Sequence, residues 1–284
     1  MFELVLKNSK GESLTFSPMG DFTLIDTQGL NPPNATINTN ETALGDGVTF
    51  NSAKVNPRTI NLAFTINRNS EANRLQVYKV LKSKQGVDVF YTSQYRDIYI
   101  HGIVESIEVA YWENPQTITL SIFCPAPFFK EAQELVNRLE NTIGMFKFPF
   151  SISTSKPIPF SRFDQFKDVT IINKGDIACG MKIEMYAYTR VINPKIFNYI
   201  KGEFIGIHYT MEPADAVVIS TSHGEKAITL IRNGKETNLF NSLMRGSTWL
   251  QLETGENTFV AEADDDTQVN LGVDFYHSQL FEGV

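Results

Sequence analysis

In "TINLAFTIN" (59–67) apolar and polar side chains alternate, with Ile60, Leu62, Phe64 and Ile66 on one side and Asn61, Thr65 and Asn67 on the other. That period predicts a half-buried strand. "QTITLSIFC" (116–124) repeats it, setting Ile118, Leu120 and Ile122 against Thr117, Thr119 and Ser121. Between these runs, "VDVFYT", "RDIYIHG" and "IVESIEVAYW" are further short β runs separated by turn residues. Two segments change to a helical period. The first, "SEANRLQVYKVLKSKQG", starts at the potential cap Ser70, gathers Leu75, Val77, Tyr78 and Leu81 on one face, and meets Gly86, predicting a helix over 70–85. The second follows the strand-ending Pro125 and Pro127. It spaces Ala132, Leu135, Val136, Leu139 and Ile143 for a helix over 129–143, with Gly144 as its stop.

The pattern then breaks. "KFPFSISTSKPIPFSRF" has three prolines, four serines and no regular period, so residues 146–167 read as an extended connector after an N-terminal β domain with helices, 1–145. From 168 to 284 about nine short strands follow one another, including "DVTIIN", "MKIEMYAY", "AVVIST", "AITLIR", "STWLQL" and "VNLGVDFYH". They predict a sandwich of two antiparallel sheets, with Asn233-Gly234 as a two-residue hairpin turn. "GSTWLQLETGENTF" (246–259) reads as a hairpin that packs Trp249 and Phe259 into the sandwich and turns at Gly255-Glu256-Asn257.

Composition sharpens this mainly-β reading. With 21 Phe and 10 Tyr among 284 residues, the chain favours strands. Its net charge of −7 carries no basic stripe, which argues against holding nucleic acid by its phosphates. The N-terminus meets charge at Glu3 and Lys7, so neither a signal peptide nor a membrane segment is expected there, and the expected place of synthesis is a cytoplasm. Cys124 and Cys179 match no metal or redox motif and are expected as buried free thiols.

Candidate chemistry is sparse. His101, His208, His223 and His277 lack ligand spacing and are expected at strand ends and turns, partly exposed. Asp264-Asp265-Asp266 lacks the alternation of a calcium loop and reads as a solvated hairpin tip. Asp215, Glu253 and Asp274 are candidates for paired carboxylates only because such pairs meet in space. Tyr186, Tyr188, Tyr209, Trp249 and Tyr276 lie on β runs; Trp249 is either a carbohydrate contact or a core aromatic. Neither catalytic residue nor metal nor cofactor site is expected, and an enzyme is not expected.

Several stretches together resemble the distal tail protein of long-tailed phages that infect Gram-positive bacteria. They are "NPRTINLAFTIN" (56–67), "ANRLQVYKVLKSKQGVDVFY" (72–91), "YRDIYIHGIVESIEV" (95–109), "SIFCPAPFF" (121–129), "DVTIINKGDIACGMKIEM" (168–185) and "GSTWLQLETGENTFVAEA" (246–263). The resemblance spans nearly the whole chain. It implies a β-barrel-like N-terminal domain related to tail-tube proteins and a galectin-like C-terminal sandwich. It also implies a structural hub of the virion tail tip, or baseplate, made in the host bacterial cytoplasm. Six copies would form a ring, as one ring or two stacked rings. The ring would link the tail-tube protein to the tail-associated tip protein and the receptor-binding proteins. The equivalent adaptor of a contractile tail or tail-like bacteriocin is an alternative, and a galectin-like binder of cell-wall carbohydrate is another.

A ring of head-to-tail contacts needs loops and sheet edges that reach a neighbour. Residues 26–58 are polar, rich in Asn and Thr and show little periodicity, reading as a surface loop or as an arm that orders against the adjacent subunit or the tail tube in an assembled ring. The expected interface residues are Asn31, Pro32, Pro33, Asn34, Asn38 and Asn40.

Overall fold

Both alternating runs of the first half are strands in the computed structural model, which describes residues 2–41, 46–139, 142–144, 161–163 and 168–284. The chain divides into two units, Met1–Ala132 with Leu280–Val284, and Gln133–Gln279.

In the first unit the elements are β1 (Glu3–Asn8), β2 (Ser13–Phe16), β3 (Phe22–Gln28), β4 (Ala35–Glu41), β5 (Val48–Val55), β6 (Arg58–Ile66), α1 (Ser70–Val80), β7 (Gly86–Thr92), β8 (Asp97–Ala110), β9 (Gln116–Cys124) and β10 (Phe129–Glu131). The main sheet runs β2-β1-β7-β8-β9-β6-β3. The period-2 pattern sets its register: Ile60, Leu62 and Phe64 lie opposite Ile122, Leu120 and Ile118. All six side chains are fully buried. Phe16, Phe22 and Phe64 meet edge to face, with centroids 4.9 to 6.5 Å apart. Against the barrel-like expectation the sheet is open. β2 and β3 are its ends, and beside the turn between them a single backbone bond, Ser17 N–H to Phe22 C=O at 3.0 Å, spans the gap.

The first helix forms but ends at Val80, before the expected 85. Leu81 is already extended, and the following turn puts Lys84 in the left-handed region. Its buried residues are Asn73, Val77 and Val80, whereas Leu75 is exposed. Asn69, and not Ser70, stands at the N-cap, without a side-chain cap bond.

The helix expected over 129–143 does not form. The same residues are β10, β11 (Leu135–Leu139) and β12 (Thr142–Gly144). β11 pairs residue by residue with Val273–His277 and alternates Leu135, Asn137 and Leu139 inward with Val136 and Arg138 outward. A sheet edge offering five ladder positions outweighs a helix propensity worth a few tenths of a kcal/mol per residue. β11 thus belongs to the second unit, ahead of the boundary expected near 145. Of the connector expected at 146–167, only β13 (Ser161–Phe163), paired with β12, lies within the described residues.

The second unit continues with β14 (Asp168–Asn173), β15 (Met181–Ala187), β16 (Val191–Asn198), β17 (Glu203–Gly206), β18 (Thr210–Met211), β19 (Ala216–Ser220), β20 (Ala227–Arg232), β21 (Lys235–Asn238), β22 (Gly255–Asp264) and β23 (Leu271–His277). One sheet runs β11-β23-β15-β19-β20-β21, and the other β14-β22-β16-β17 with β18 on β16. The two layers meet where Phe259 of β22 stacks on Phe275 of β23 at 5.3 Å, both fully buried. This is the expected antiparallel sandwich. Asn233 and Gly234, both at positive φ, join β20 to β21 as the two-residue turn.

"STWLQL" is not a strand. Gly246 lies in a turn at positive φ, residues 247–251 belong to no strand, and Leu252 makes one isolated bridge to Cys179, with bonds of 2.9 and 3.0 Å. Leu250 and Leu252 enter the core there, while Trp249 stays half-buried. The turn that follows is stapled by buried Asn257, whose side chain accepts from Glu253 N–H at 3.0 Å and donates to the Glu253 and Gly255 carbonyls.

The last strand, β24 (Leu280–Phe281), belongs to the first unit and pairs with β10, which in turn pairs with β8.

His277 departs from the partly exposed histidine expected at a strand end. It is 2% exposed, lies opposite Leu135 and Met181, and neither ring nitrogen has a hydrogen-bond partner among the described residues. Burial pushes its pKa below the ordinary value, so the ring is neutral in the folded protein. The unfolded chain takes up this proton near pH 6.5, whereas the folded one resists it. Stability is therefore full above that pH and falls as the pH drops below it. A melting-temperature series from pH 7.5 to 5 should show this fall, and His277→Leu should flatten it.

Candidate functional site

The segment expected to be a loop or arm is a hairpin. Among the described residues β4 and β5 pair only with each other, and every residue in them except half-buried Val55 is exposed. Cross-strand partners share a face of a two-stranded sheet. Thr39 faces Phe50, but Asn38 faces Ser52, so Asn51 is an extra residue and the ladder carries a bulge. The bulge shifts the alternation of β5 by one position. Ala35, Ile37, Val48, Phe50, Ala53 and Val55 thereby fall on one face, with only Thr39 and Glu41 among them. The opposite face is entirely polar: Thr36, Asn38, Asn40, Thr49, Ser52 and Lys54. Ile37, Val48 and Phe50 are 62%, 57% and 63% exposed. An isolated two-stranded ribbon of this kind is marginal in water, and its apolar face gains by being covered.

The interface residues expected from sequence divide accordingly. Asn38 and Asn40 point to the polar face, where Asn38 donates to Ser52 Oγ at 3.1 Å. Asn31, Pro32, Pro33 and Asn34 form the root of the arm. The exposed apolar positions Ile37, Val48 and Phe50 do not stand out in the sequence, because a bulge disguises period 2 as no period at all.

The root is held from several sides. Asn56 N–H donates to the Asn34 carbonyl at 2.9 Å. Arg58, 5% exposed, reaches the carbonyls of Gly29 (3.1 Å), Asn31 (3.2 Å) and Glu282 (2.5 Å), and lies over the Phe129 ring at 4.8 Å. Gly29 sits at φ +86°, and a Cβ there would meet the Thr59 carbonyl oxygen at 2.2 Å. The returning residues complete the clamp: Val284 N–H donates to the Leu30 carbonyl, while Arg96 bonds the Gly283 carbonyl and covers Phe281.

A cleft of roughly 440 Å³ opens in the same unit, lined by the apolar Phe2, Leu4, Phe16, Pro18, Leu24 and Ile25 and by the polar Ser17, Thr23, Asp26 and Thr27. It lies where the sheet fails to close, beside the edge strand β3. That strand has its own bulge at Ile25, which is 58% exposed.

The candidates for chemistry are engaged otherwise. Buried Asp215 is gripped by Arg232 at 2.7 and 2.5 Å and accepts from Glu212 N–H, and these contacts hold its carboxyl below the usual range. Glu253 pairs with Lys201 at 2.5 Å, and Asp274 with Arg138 at 3.6 Å. Asp264 accepts from Asn193, and Asp265 and Asp266 turn the chain at positive φ. His101 bonds Asp88 across strands at 2.7 Å, while His208 and His223 are exposed. Cys124 and Cys179 are free and buried, and burial pushes both thiols up to about 11. Burial and bonds to Glu184 and Tyr276 raise the Tyr186 phenol, and Lys182 lies over Tyr276 at 4.0 Å. Tyr188 covers Gly272, and Tyr209 is half-buried. Trp249 stacks on Phe240 at 5.8 Å with the Lys226 ammonium 5.4 Å from its ring centroid. Among the described residues no group of three His, Cys, Asp or Glu side chains is placed to hold a metal.

Residues 174–274 match the family model described as siphovirus-type tail component, C-terminal domain. The chain as a whole is similar in fold to the crystal structure of the Dit protein of phage SPP1, described as a paradigm of the hub adsorption apparatus in phages infecting Gram-positive bacteria. That match has a TM-score of 0.69 at 12% identity and covers 98% of this chain and 99% of that one. It is also similar to a chain of the phage P2 baseplate in its activated conformation with calcium, with a TM-score of 0.55 at 12% identity over 100% of both chains. No curated sequence matches. The likeness to a phage distal tail protein thus rests on a family match in the second unit and on fold across both.

Proposed function

We propose that this chain is a structural hub of a phage tail tip, acting by assembly and not by turnover. One observation carries the reading: a rooted, two-faced hairpin arm whose apolar face is left open, on a fold that follows the SPP1 Dit protein almost end to end. An arm of this kind buries little apolar surface in an isolated chain, and it gains packing when a partner covers it. Repeated around an axis, the contact forms a closed ring. Six copies form that ring, as one ring or two stacked rings. It joins the tail-tube protein to the tip protein and the receptor-binding proteins. The family match in residues 174–274 supports a place in the virion tail.

Native mass spectrometry of the purified chain tests this. The expected mass is near six subunits, or twelve for stacked rings. A strict monomer at the highest attainable concentration counts against the reading.

A further inference from the structure

We propose that His277 is an acid-sensitive latch: uptake of one proton by its ring releases the first residues of β11 from β23 while the rest of the sandwich stays folded. The latch belongs to the second unit alone and works whether or not the chain assembles.

Its place in the sheet is the first reason. Among the described residues β11 is an edge strand, held by β23 on one side only. His277 ends β23, and its partner across that ladder is Leu135, the residue that opens β11. Its partner across the other ladder is Met181 of β15. These two flanks differ in strength. β15 is an interior strand paired with both β23 and β19, and Met181 is fully buried. Leu135 is only half-buried, and Gln133 and Glu134 before it are exposed. Water therefore reaches the ring at least cost by parting Leu135 from His277.

The second reason is that the closed site offers a proton no support. Both ring nitrogens are buried and unpartnered among the described residues. Every other inward side chain of β11, β15 and β23 is uncharged. The charged groups of these strands, Arg138, Lys182, Glu184 and Asp274, fall on the opposite face of the sheet. There Lys182 lies over Tyr276, and Arg138 pairs with Asp274. Cys179, two residues ahead of Met181, stays a neutral thiol throughout the mildly acid range, since burial pushes it up to about 11.

Opening brings the ring to water, where it takes its proton near pH 6.5. The closed state is thus favoured above that pH. Below it, while the closed ring stays neutral, each pH unit raises the open population about tenfold. An edge strand with Leu139 as its one buried residue is a small piece to open beside the whole unit. The consequence falls on the chain's two crossings. It enters the second unit at Gln133, two residues before Leu135, and leaves it at Gln279, two residues after His277. Acid loosens both connecting segments together.

Hydrogen exchange of the full chain, followed by mass spectrometry and corrected for the intrinsic rate, tests this. Between pH 7.5 and 5.5 the protection of residues 133–139 should fall about tenfold, while β15 and β19 keep theirs. His277→Leu, which suits the apolar neighbours, should abolish the fall. His277→Gln keeps a polar side chain without a titrating one, and its protection should be lower but equal at both pH values; it decides the matter if the leucine variant does not fold. Protection at 133–139 that stays constant over this range, or that falls as far in either variant, overturns the latch. A loss shared in step by β15 and β19 also overturns it, because the proton then enters by unfolding of the whole unit.

Discussion

Arg58→Ala should destabilise the first unit by about 3 kcal/mol, with Arg58→Lys recovering little of the loss. The guanidinium gathers three carbonyls, of Gly29, Asn31 and Glu282, and rests on the Phe129 ring. Alanine leaves those oxygens without their charged donor in a site where Arg58 is 5% exposed. Hydrogen bonds to charged groups are each worth about 1.5–3 kcal/mol. The cost of burying the cation, whose Nε has no partner, offsets part of the sum. Lysine cannot fork to three acceptors from one planar group. Calorimetry reads the stability. Hydrogen exchange should also show faster exchange at the base of the arm, near Asn34 and Asn56, with little change at β9 in the sheet interior. A melting temperature within a degree of wild type would refute the clamp.

Phe259→Ala should cost the second unit about 3–5 kcal/mol. Phe259 is fully buried and its ring stacks on Phe275 at 5.3 Å, joining the two sheets of the sandwich. Truncation removes the ring from both layers at once and leaves a cavity that paired strands cannot collapse to fill. Phe259→Leu should recover most of the loss. Denaturant unfolding followed by far-ultraviolet circular dichroism checks both variants. An alanine variant as stable as wild type would mean the layers are held elsewhere.

The same physics explains what could be read in advance. "TINLAFTIN" and "QTITLSIFC" declare their strands because every second side chain is apolar and both runs lie in the sheet interior, where nothing competes with that signal. Asn233-Gly234 declares its turn because two consecutive positive φ angles suit few other residue pairs. The "FFKEAQELVNRLENTIG" segment misleads because its apolar spacing fits a helix, while the winning partner, Val273–His277, lies more than 130 residues along the chain. His277 looks like a surface residue at a strand end until β11 and β15 flank it. Trp249 looks like the core residue of its stretch, yet Leu250 and Leu252 are the buried ones, and the segment is tied to Cys179 by one bridge and is not a strand of the sandwich.

The candidate site divides in the same way. Residues 26–58 can be singled out from sequence as polar, Asn-rich and long, and the expected arm is a hairpin. Its apolar face cannot be singled out, since one extra residue at Asn51 inverts the alternation and sets Phe50 and Ala53 on the same side. By itself the sequence determined a β-rich chain with a sandwich after residue 168, because strand periodicity and tight turns are local properties of neighbouring residues. Only the tertiary structure decided which strand edges remain open and which apolar face lacks a partner among the described residues, and that Leu280–Val284 return to the first unit. Those outcomes depend on contacts between residues far apart in the chain, and no local period encodes them.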